Sequence, residues 1–297
     1  METAPSMPND ALATQAPPRL VNLEVAGLTD VGCQREYNQD YFYAHTVIQR
    51  RLSPQGEVVQ GKGLYILCDG MGGHAGGDEA SQLATHKLAT YLLEHWSEGE
   101  LPGPDVIHAG VGVANQAIYL RNEEEYRRGK GRMGTTLVAA LVQDNQVAIT
   151  HVGDSRAYRI TQSEGLKQLT LDHEVGQWEI QRGTDPAIAY SRPDAYQLTQ
   201  ALGPRHEQTL EVDVDYFTIT EDTVLLLCSD GLSDNGLVEN HWQQYLKPLL
   251  LPQAGLIHLQ AATRQLIDLA NELNGHDNIT VVLVKIQVQP PASAGKG

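Results

Sequence analysis

The chain has 297 residues, with 37 acidic and 21 basic side chains and a formal net charge of −16. Such a charge argues against nonspecific binding to nucleic acid or anionic membranes, because both need a basic protein face. An acidic surface can also serve solubility alone. The length allows one large domain or two small ones, and a hydrophobic fraction of 41% allows a sizeable core.

The first half of the chain alternates between strand and helix patterns. Residues 1–19 are rich in Pro, Ala, Ser and Thr without periodicity, which predicts a disordered segment. Apolar runs predict strands over 20–32, 40–52 and 63–70, with turn residues over 53–63. Apolar residues at helical spacing predict helices over 78–96 and 104–128.

The second half returns to strands and then to helices. Strands are predicted over 135–143, 146–153, 155–162, 223–228 and 278–286. The short turns between the first three favour an antiparallel meander. Residues 172–203 fit neither period and predict an irregular flap with short helices, whereas 233–246 and 256–273 predict longer helices. We therefore expect an α+β domain over 20–288, with helices outside antiparallel sheets and a disordered tail over 289–297.

The three cysteines, Cys33, Cys68 and Cys228, have no paired spacing. A disulfide framework or a zinc cluster is therefore not predicted. Cys68 and Cys228 each end an apolar run, which is typical of a small buried side chain. No segment has the length of a membrane span, and the first residues lack a secretory signal pattern. These features predict a cytoplasmic protein.

Five carboxylates stand at the ends of apolar strands. They are Asp40, Asp69, Asp154, Asp230 and Asp277. Bringing such anions together without a partner is unfavourable, so we expect them to be paired or to bind a cation. Oxygen donors without nearby His or Cys suit Mg²⁺ or Mn²⁺ rather than zinc. Each aspartate taken alone is also typical of a turn or a helix cap.

A glycine tract, "DGMGGHAGG", follows the strand that ends at Asp69. It lacks both the GxxxxGK[ST] pattern and a GxGxxG pattern, and no lysine stands where a phosphate loop needs one. A nucleotide-binding loop is therefore not predicted. His74, within the tract, has no second histidine at metal-ligand spacing, which favours a polar loop residue.

Eight motifs occur in order between residues 27 and 286: "REYNQD", "CDGMGGHAGG", "MGTTLVAALV", "HVGDSRAY", "LTLDHE", "LTQALG", "LLCSDGLSDN" and "GHDNITVVLV". This series closely resembles the PPM family, the metal-dependent serine/threonine phosphatases of the 2C type, and its bacterial branch in particular. The resemblance implies a four-layer α-β-β-α sandwich with a central pair of antiparallel sheets. It also implies a metal cleft at one end of the sandwich.

The resemblance assigns the metal ligands one by one. It implies that Asp69 bridges two Mn²⁺ or Mg²⁺ ions and that the Gly70 carbonyl binds one of them. Asp230 and Asp277 are then ligands of the other ion. Asp154 matches the aspartate that helps to hold a third, weaker metal in bacterial members.

The residues around these ligands follow from the same resemblance. Arg35 matches the arginine that binds the substrate phosphate, where its forked guanidinium suits two oxygens. Asn278 is implied as a supporting neighbour of the ligands. Gln39 replaces a metal-ligating glutamate of many members, which removes one negative charge. We therefore expect that metal to be held through water, with Asp40 assisting.

The identity of the proton donor is open at this point. Met71 stands where some eukaryotic members place a histidine proposed as general acid. A water, His74 or another group of the flap could serve instead. The implied reaction is in-line hydrolysis of phosphoserine or phosphothreonine by a hydroxide between the two ions, without a covalent intermediate.

Phosphorylated proteins, the substrates of serine/threonine kinases, are the partners that the resemblance implies for a monomeric enzyme. Two other functions are consistent with the pattern. One is an inactive module that binds phosphorylated partners, but it would have no need to keep Asp69, Asp230, Asp277 and Arg35. The other is a metal-dependent enzyme for small phosphoesters, which predicts a deep basic pocket.

Overall fold

The computed structural model describes residues 18–54, 56–72, 76–206 and 210–289. The predicted disordered tails fall almost wholly outside these residues. The first strand begins at Arg19, and the last strand ends at Gln289. The strands are β1 (Arg19–Asp30), β2 (Asp40–Ser53), β3 (Gly56–Met71), β4 (Gly134–Thr135), β5 (Leu137–Gln143), β6 (Gln146–Val152), β7 (Arg156–Thr161), β8 (Gly165–Gln168), β9 (Asp213–Thr218), β10 (Thr223–Cys228) and β11 (Ile279–Gln289). The α-helices are α1 (Gly76–His95), α2 (Pro104–Glu124), α3 (Val175–Gln181), α4 (Pro186–Ala189), α5 (Asp230–Ser233), α6 (Leu237–Tyr245) and α7 (Leu256–Leu273).

These strands form two antiparallel sheets. One has the order β1-β11-β10-β7-β8, and the other has the order β2-β3-β5-β6-β9 with β4 paired to β3. The sheets face each other across an apolar core that includes Leu67, Val138 and Leu227. Helices α1 and α2 cover the second sheet, and α6 and α7 cover the first. The predicted four-layer α-β-β-α sandwich is confirmed.

Strand β3 is much longer than predicted, because Gly56–Met71 is one continuous strand. The glycines within it had indicated turns. A Cβ at Gly61 would lie 2.4 Å from the Leu20 side chain, and one at Gly63 would lie 2.3 Å from the Tyr65 hydroxyl. These glycines therefore permit close packing within a strand, which is their other common role.

The segment Gly153–Ser155 is not a hairpin turn, contrary to the predicted meander. Strand β6 pairs with β5 and β9, whereas β7 pairs with β8 and β10 in the opposite sheet. The connection therefore crosses from one sheet to the other at the end of the sandwich. Short strands β8 and β9 had not been predicted, and the flap contains the two short helices α3 and α4 as expected. None of the described helices has the length and apolarity needed to cross a membrane.

Candidate metal centre

The strand-end carboxylates meet at one end of the sandwich. Asp40 begins β2 and is the register partner of Asp69, near the end of β3. Asp230 directly follows Ser229 after β10, Asp277 lies two residues before the start of β11, and Asp154 lies in the crossing between the sheets. In antiparallel sheets the start of one strand lies beside the end of its neighbour. These positions therefore lie at the same end of the strands.

Asp40 is the most enclosed of these carboxylates, with 4% of its surface exposed. Its Oδ2 accepts hydrogen bonds from the hydroxyls of Ser229 and Thr280, both at 2.7 Å. Its Oδ1 is buried and has no hydrogen-bond partner among the described residues. Burial outweighs the two hydroxyl donors and raises the pKa of Asp40 to about 6.

The carboxylates repel one another. Burial, followed by the charges of Asp40 and Asp230, raises the pKa of Asp69 well above its usual value. Burial and the charges of Asp154 and Asp234 do the same for Asp230. Burial also raises the pKa of Asp154 to about 6. The site therefore holds more negative charge than its protein partners compensate.

This donor set fits divalent cations with a preference for oxygen. All of its side chains are carboxylates, and Asp40 Oδ1 and Asp230 Oδ1 are buried oxygens without a partner in the described part of the chain. Oxygen ligands of this kind suit Mg²⁺ and Mn²⁺. A bound cation would offset the mutual repulsion that raises these pKa values.

Gly70 fits its position because the backbone there is crowded. Its N–H donates to the Gln39 carbonyl at 3.0 Å. A Cβ at Gly70 would lie 2.0 Å from the Gly77 carbonyl oxygen and 2.7 Å from that of Gln39. Only glycine fits at this position.

Gln39 and Asn278 tie the loops of the site together. The Gln39 side chain donates to the Gly72 carbonyl at 3.3 Å, so it faces the glycine tract. Asn278 accepts from the Gln39 backbone N–H at 2.8 Å and donates to the carbonyls of Val31 and Tyr37 at 2.9 Å. Asn278 thereby links the loop before β2 to the loop before β11.

Arg35 lies at the mouth of the site with its side chain 49% exposed. Its Nη2 donates to Asp277 Oδ2 at 2.5 Å. This hydrogen bond raises the pKa of Arg35, as do the charges of Asp277, Asp230 and Asp69. The guanidinium is therefore a fixed positive charge at the edge of the carboxylate group.

The sequence prediction missed Asp234. Burial raises its pKa, and its Oδ2 lies 3.1 Å from His276 Nε2. The charge of Asp234 acts on both Asp154 and Asp230. Its position four residues after Asp230, one helical turn away, was the signal that could have found it.

Two further acids come from the "LTLDHE" motif, to which the sequence prediction gave no role. Asp172 accepts from Arg156 through both oxygens, with Nη2 at 2.6 Å from Oδ2. Glu174 is 6% exposed, and burial with the charges of Asp154 and Asp172 raises its pKa to about 7. Asp172 is thus compensated by an arginine, whereas Glu174 has a tyrosine donor, the hydroxyl of Tyr190 at 3.3 Å.

A second group of possible ligands consists of His151, His173 and Asp213. His173 Nδ1 accepts from the Gly153 N–H at 3.2 Å, and its Nε2 lies 3.0 Å from Asp213 Oδ2. A neutral histidine that accepts at Nδ1 carries its proton on Nε2, so Nε2 donates to Asp213 and offers no lone pair to a metal. His173 therefore ties the flap to the residue after β6 and to the first residue of β9 through hydrogen bonds.

The described part of the glycine tract offers no proton donor. Met71 ends β3, where it pairs with Gly134 of β4, and a thioether cannot donate a proton. His74 lies outside the described residues.

A sequence model of the family described as protein phosphatase 2C matches residues 36–266. This chain belongs to the protein phosphatase 2C family. It is 34% identical over 269 residues to the serine/threonine phosphatase stp of Listeria monocytogenes serotype 4b, covering 86% of this chain and 93% of that protein. It is 31% identical over 265 residues to the protein phosphatase PhpP of Streptococcus pneumoniae serotype 2, with 89% and 98% covered.

Solved structures agree with this family membership. The serine/threonine phosphatase PstP of Mycobacterium tuberculosis superposes with a TM-score of 0.70 at 32% identity, covering 89% of this chain and 99% of that chain. A structure of the PstP catalytic domain with two manganese ions has a TM-score of 0.65 at 31% identity, with 89% and 98% covered. The predicted 2C-type family, with its bacterial relatives, is confirmed.

Proposed function

We propose that this protein is a serine/threonine protein phosphatase that uses two Mn²⁺ or Mg²⁺ ions. The observation that carries the proposal is the group of uncompensated carboxylates beside an exposed arginine at one end of the sandwich. Family membership and the two manganese ions in the PstP structure support the same assignment. When bound, two such ions would activate the attacking water and neutralise charge on the phosphoryl oxygens.

The residues of the chain have separate tasks in this proposal. Asp69, Asp230 and Asp277, with the Gly70 carbonyl, would hold the two ions, and Asp154 would help to hold a third. Asp40, fixed by its two hydroxyl donors, would assist them.

Arg35 turns its guanidinium fork to the substrate phosphate. Its pairing with Asp277 keeps it at the mouth before the substrate arrives. One preorganised donor of this kind stabilises a transition state by about 3 kcal/mol.

The physiological setting follows from the same proposal. We expect the substrates to be phosphorylated proteins made by serine/threonine kinases, in a signalling role. A monomeric, cytoplasmic enzyme without nucleic-acid or membrane partners fits the net charge of −16.

Turnover of p-nitrophenyl phosphate with Mn²⁺ and with a chelator tests the proposal. We expect activity that depends on Mn²⁺ and falls at least about a hundredfold in Asp230→Asn, because a ligand and a buried charge are lost together. Asp268→Asn, an exposed aspartate of α7, is the matched control and should keep full activity. Wild-type protein that is inactive with Mn²⁺ would make the proposal wrong.

A further inference from the structure

A small, mainly apolar cavity includes Met71, the last residue of β3. It has a volume of about 130 Å³ and is lined by Met71, Leu198, Ala201, Pro204, Leu210 and Arg205, among others. Cavities of roughly 150 Å³ accept a group the size of benzene. The cavity is therefore large enough for one apolar side chain.

Met71 connects this cavity to the candidate centre. Asp69 and Met71 are two residues apart on β3, and both are half-buried, whereas Gly70 between them is buried. Successive side chains of a strand point to opposite faces, so Asp69 and Met71 share a face. Their separation along the strand is about 6.6 Å, close to the advance of two residues in an extended peptide.

Arg205 is exposed at the rim of the cavity. Its backbone is fixed by the Asn115 side chain, which donates to the Arg205 carbonyl at 3.2 Å. Its guanidinium has no acidic partner among the described residues, although the chain is strongly acidic overall.

The arginines of the basic segment 127–132 differ from Arg205 because they already form ion pairs with glutamates. Arg127 lies 2.6 Å from Glu125, and Arg132 lies 2.5 Å from Glu123. Their charge is therefore compensated within the protein. Arg205 lines the cavity, and no ion pair to a described residue compensates its charge.

We propose that this cavity is a substrate subsite that takes an apolar side chain two residues from the phosphorylated residue, while Arg205 binds an acidic side chain next to it. The inference rests on the proposed phosphatase function and names the substrate class: phosphoproteins with an apolar and an acidic residue beside the phosphosite. Met71 is the apolar and adaptable wall of the subsite. An acidic segment gains from Arg205 because much of the remaining surface would repel it.

Phosphothreonine peptides that differ at single positions test the inference. One pair carries Leu or Ser two residues from the phosphothreonine, and a second pair carries Glu or Gln at the third residue. Each pair is made twice, once with the variable residue on the N-terminal side of the phosphothreonine and once with it on the C-terminal side. The readout is the ratio of kcat/KM within a pair, which cancels differences in overall activity between variants.

For wild-type protein we expect a preference of about tenfold for Leu over Ser and of up to about fivefold for Glu over Gln. Arg205→Gln should bring the Glu/Gln ratio close to one. Met71→Gln, of similar size but polar, should reduce the Leu/Ser ratio. Arg51→Gln is the matched control, because Arg51 lies eleven residues along β2 from Asp40, about 36 Å by strand rise, and should keep both ratios.

The outcomes separate this inference from the proposed function. Wild-type protein that hydrolyses p-nitrophenyl phosphate and the peptides without either preference would overturn the subsite alone. An unchanged Glu/Gln ratio in Arg205→Gln would do the same. Wild-type protein that hydrolyses neither kind of substrate with Mn²⁺ would instead overturn the phosphatase assignment.

Discussion

Asp40 shows how a single buried side chain sets the electrostatics of the centre. It is 4% exposed and has two hydroxyl donors on one oxygen, while the other oxygen has no partner in the described part of the chain. A buried carboxylate left in this state favours its protonated form. At neutral pH the ionised, buried Asp40 therefore lowers the stability of the metal-free protein.

The stability of the metal-free protein should depend on Asp40 in a specific pH range. Its pKa is about 6 in the folded protein and about 3.9 in an unfolded chain. Between these values the folded state binds more protons, so the free energy of unfolding falls as pH rises from about 4 to about 6. The loss is about 3 kcal/mol and persists above pH 6.

Asp40→Asn removes this titration while retaining an oxygen that can accept from Ser229 and Thr280. We expect the variant to be more stable than wild-type protein at pH 7 in the presence of a chelator, and not at pH 4. Urea unfolding at both pH values measures the difference. An equal effect of the substitution at the two pH values would contradict the assignment.

At the scale of elements, the end of β3 combines a strand with a tightly packed loop. Gly70 pairs with Thr135 of β4, donates to Gln39 and lies against Gly77 at the start of α1. Three elements thus approach one Cα, which leaves no room for a side chain. The geometry after Asp69 depends on this close approach.

Gly70→Ala should therefore disturb the candidate centre. The added methyl would lie 2.0 Å from the Gly77 carbonyl oxygen, and backbone has to move to relieve the clash. We expect at least a tenfold loss of Mn²⁺-dependent activity and a lower melting temperature, with the free energy of unfolding reduced by about 2 kcal/mol or more. Gly131→Ala is the control, because a Cβ there meets nothing within 4 Å. Equal behaviour of the two variants would show that the packing at Gly70 is unimportant.

At the scale of the whole molecule, the carboxylates of the two sheets meet at one end of the sandwich. The protein holds these negative charges together without enough cationic partners. The two core layers between the sheets and their helices are apolar and buried, and so is the layer between the sheets. The stability from this packing offsets the repulsion among the carboxylates at one end. Ions bound there should therefore stabilise the entire fold by linkage.

Mn²⁺ should raise the melting temperature relative to protein in a chelator. At a hundredfold excess over the dissociation constant, one bound ion adds about 2.7 kcal/mol, which corresponds to about 5–10 °C for a domain of this size. Differential scanning calorimetry measures the shift. Asp230→Asn should show a smaller one, and Asp268→Asn the full one. A shift that is the same in both variants would place the stabilising ion elsewhere.

The sequence alone determined the strands that carry the carboxylates, because apolar runs ending in Asp are local patterns. Asp69 and Asp230 were found in this way, and Asp277 by its place just before the last strand. The order of the motifs predicted the family and the sandwich. The sizes of α1 and α7 also followed from local periodicity. The assignment of Asp69, Asp230 and Asp277 as metal ligands stays a prediction.

Only the tertiary structure decided which of these ends share a cleft and what surrounds them. The crossing at Asp154 looked like a hairpin because sequence spacing does not reveal which sheet a strand joins. The pairing of Arg35 with Asp277 and the bonds from Ser229 and Thr280 to Asp40 join residues 189 to 242 positions apart. The contact of Asp234 with His276 and the Met71 cavity likewise depend on packing between distant segments. Such contacts come from the register and stacking of the sheets, which local sequence patterns do not specify.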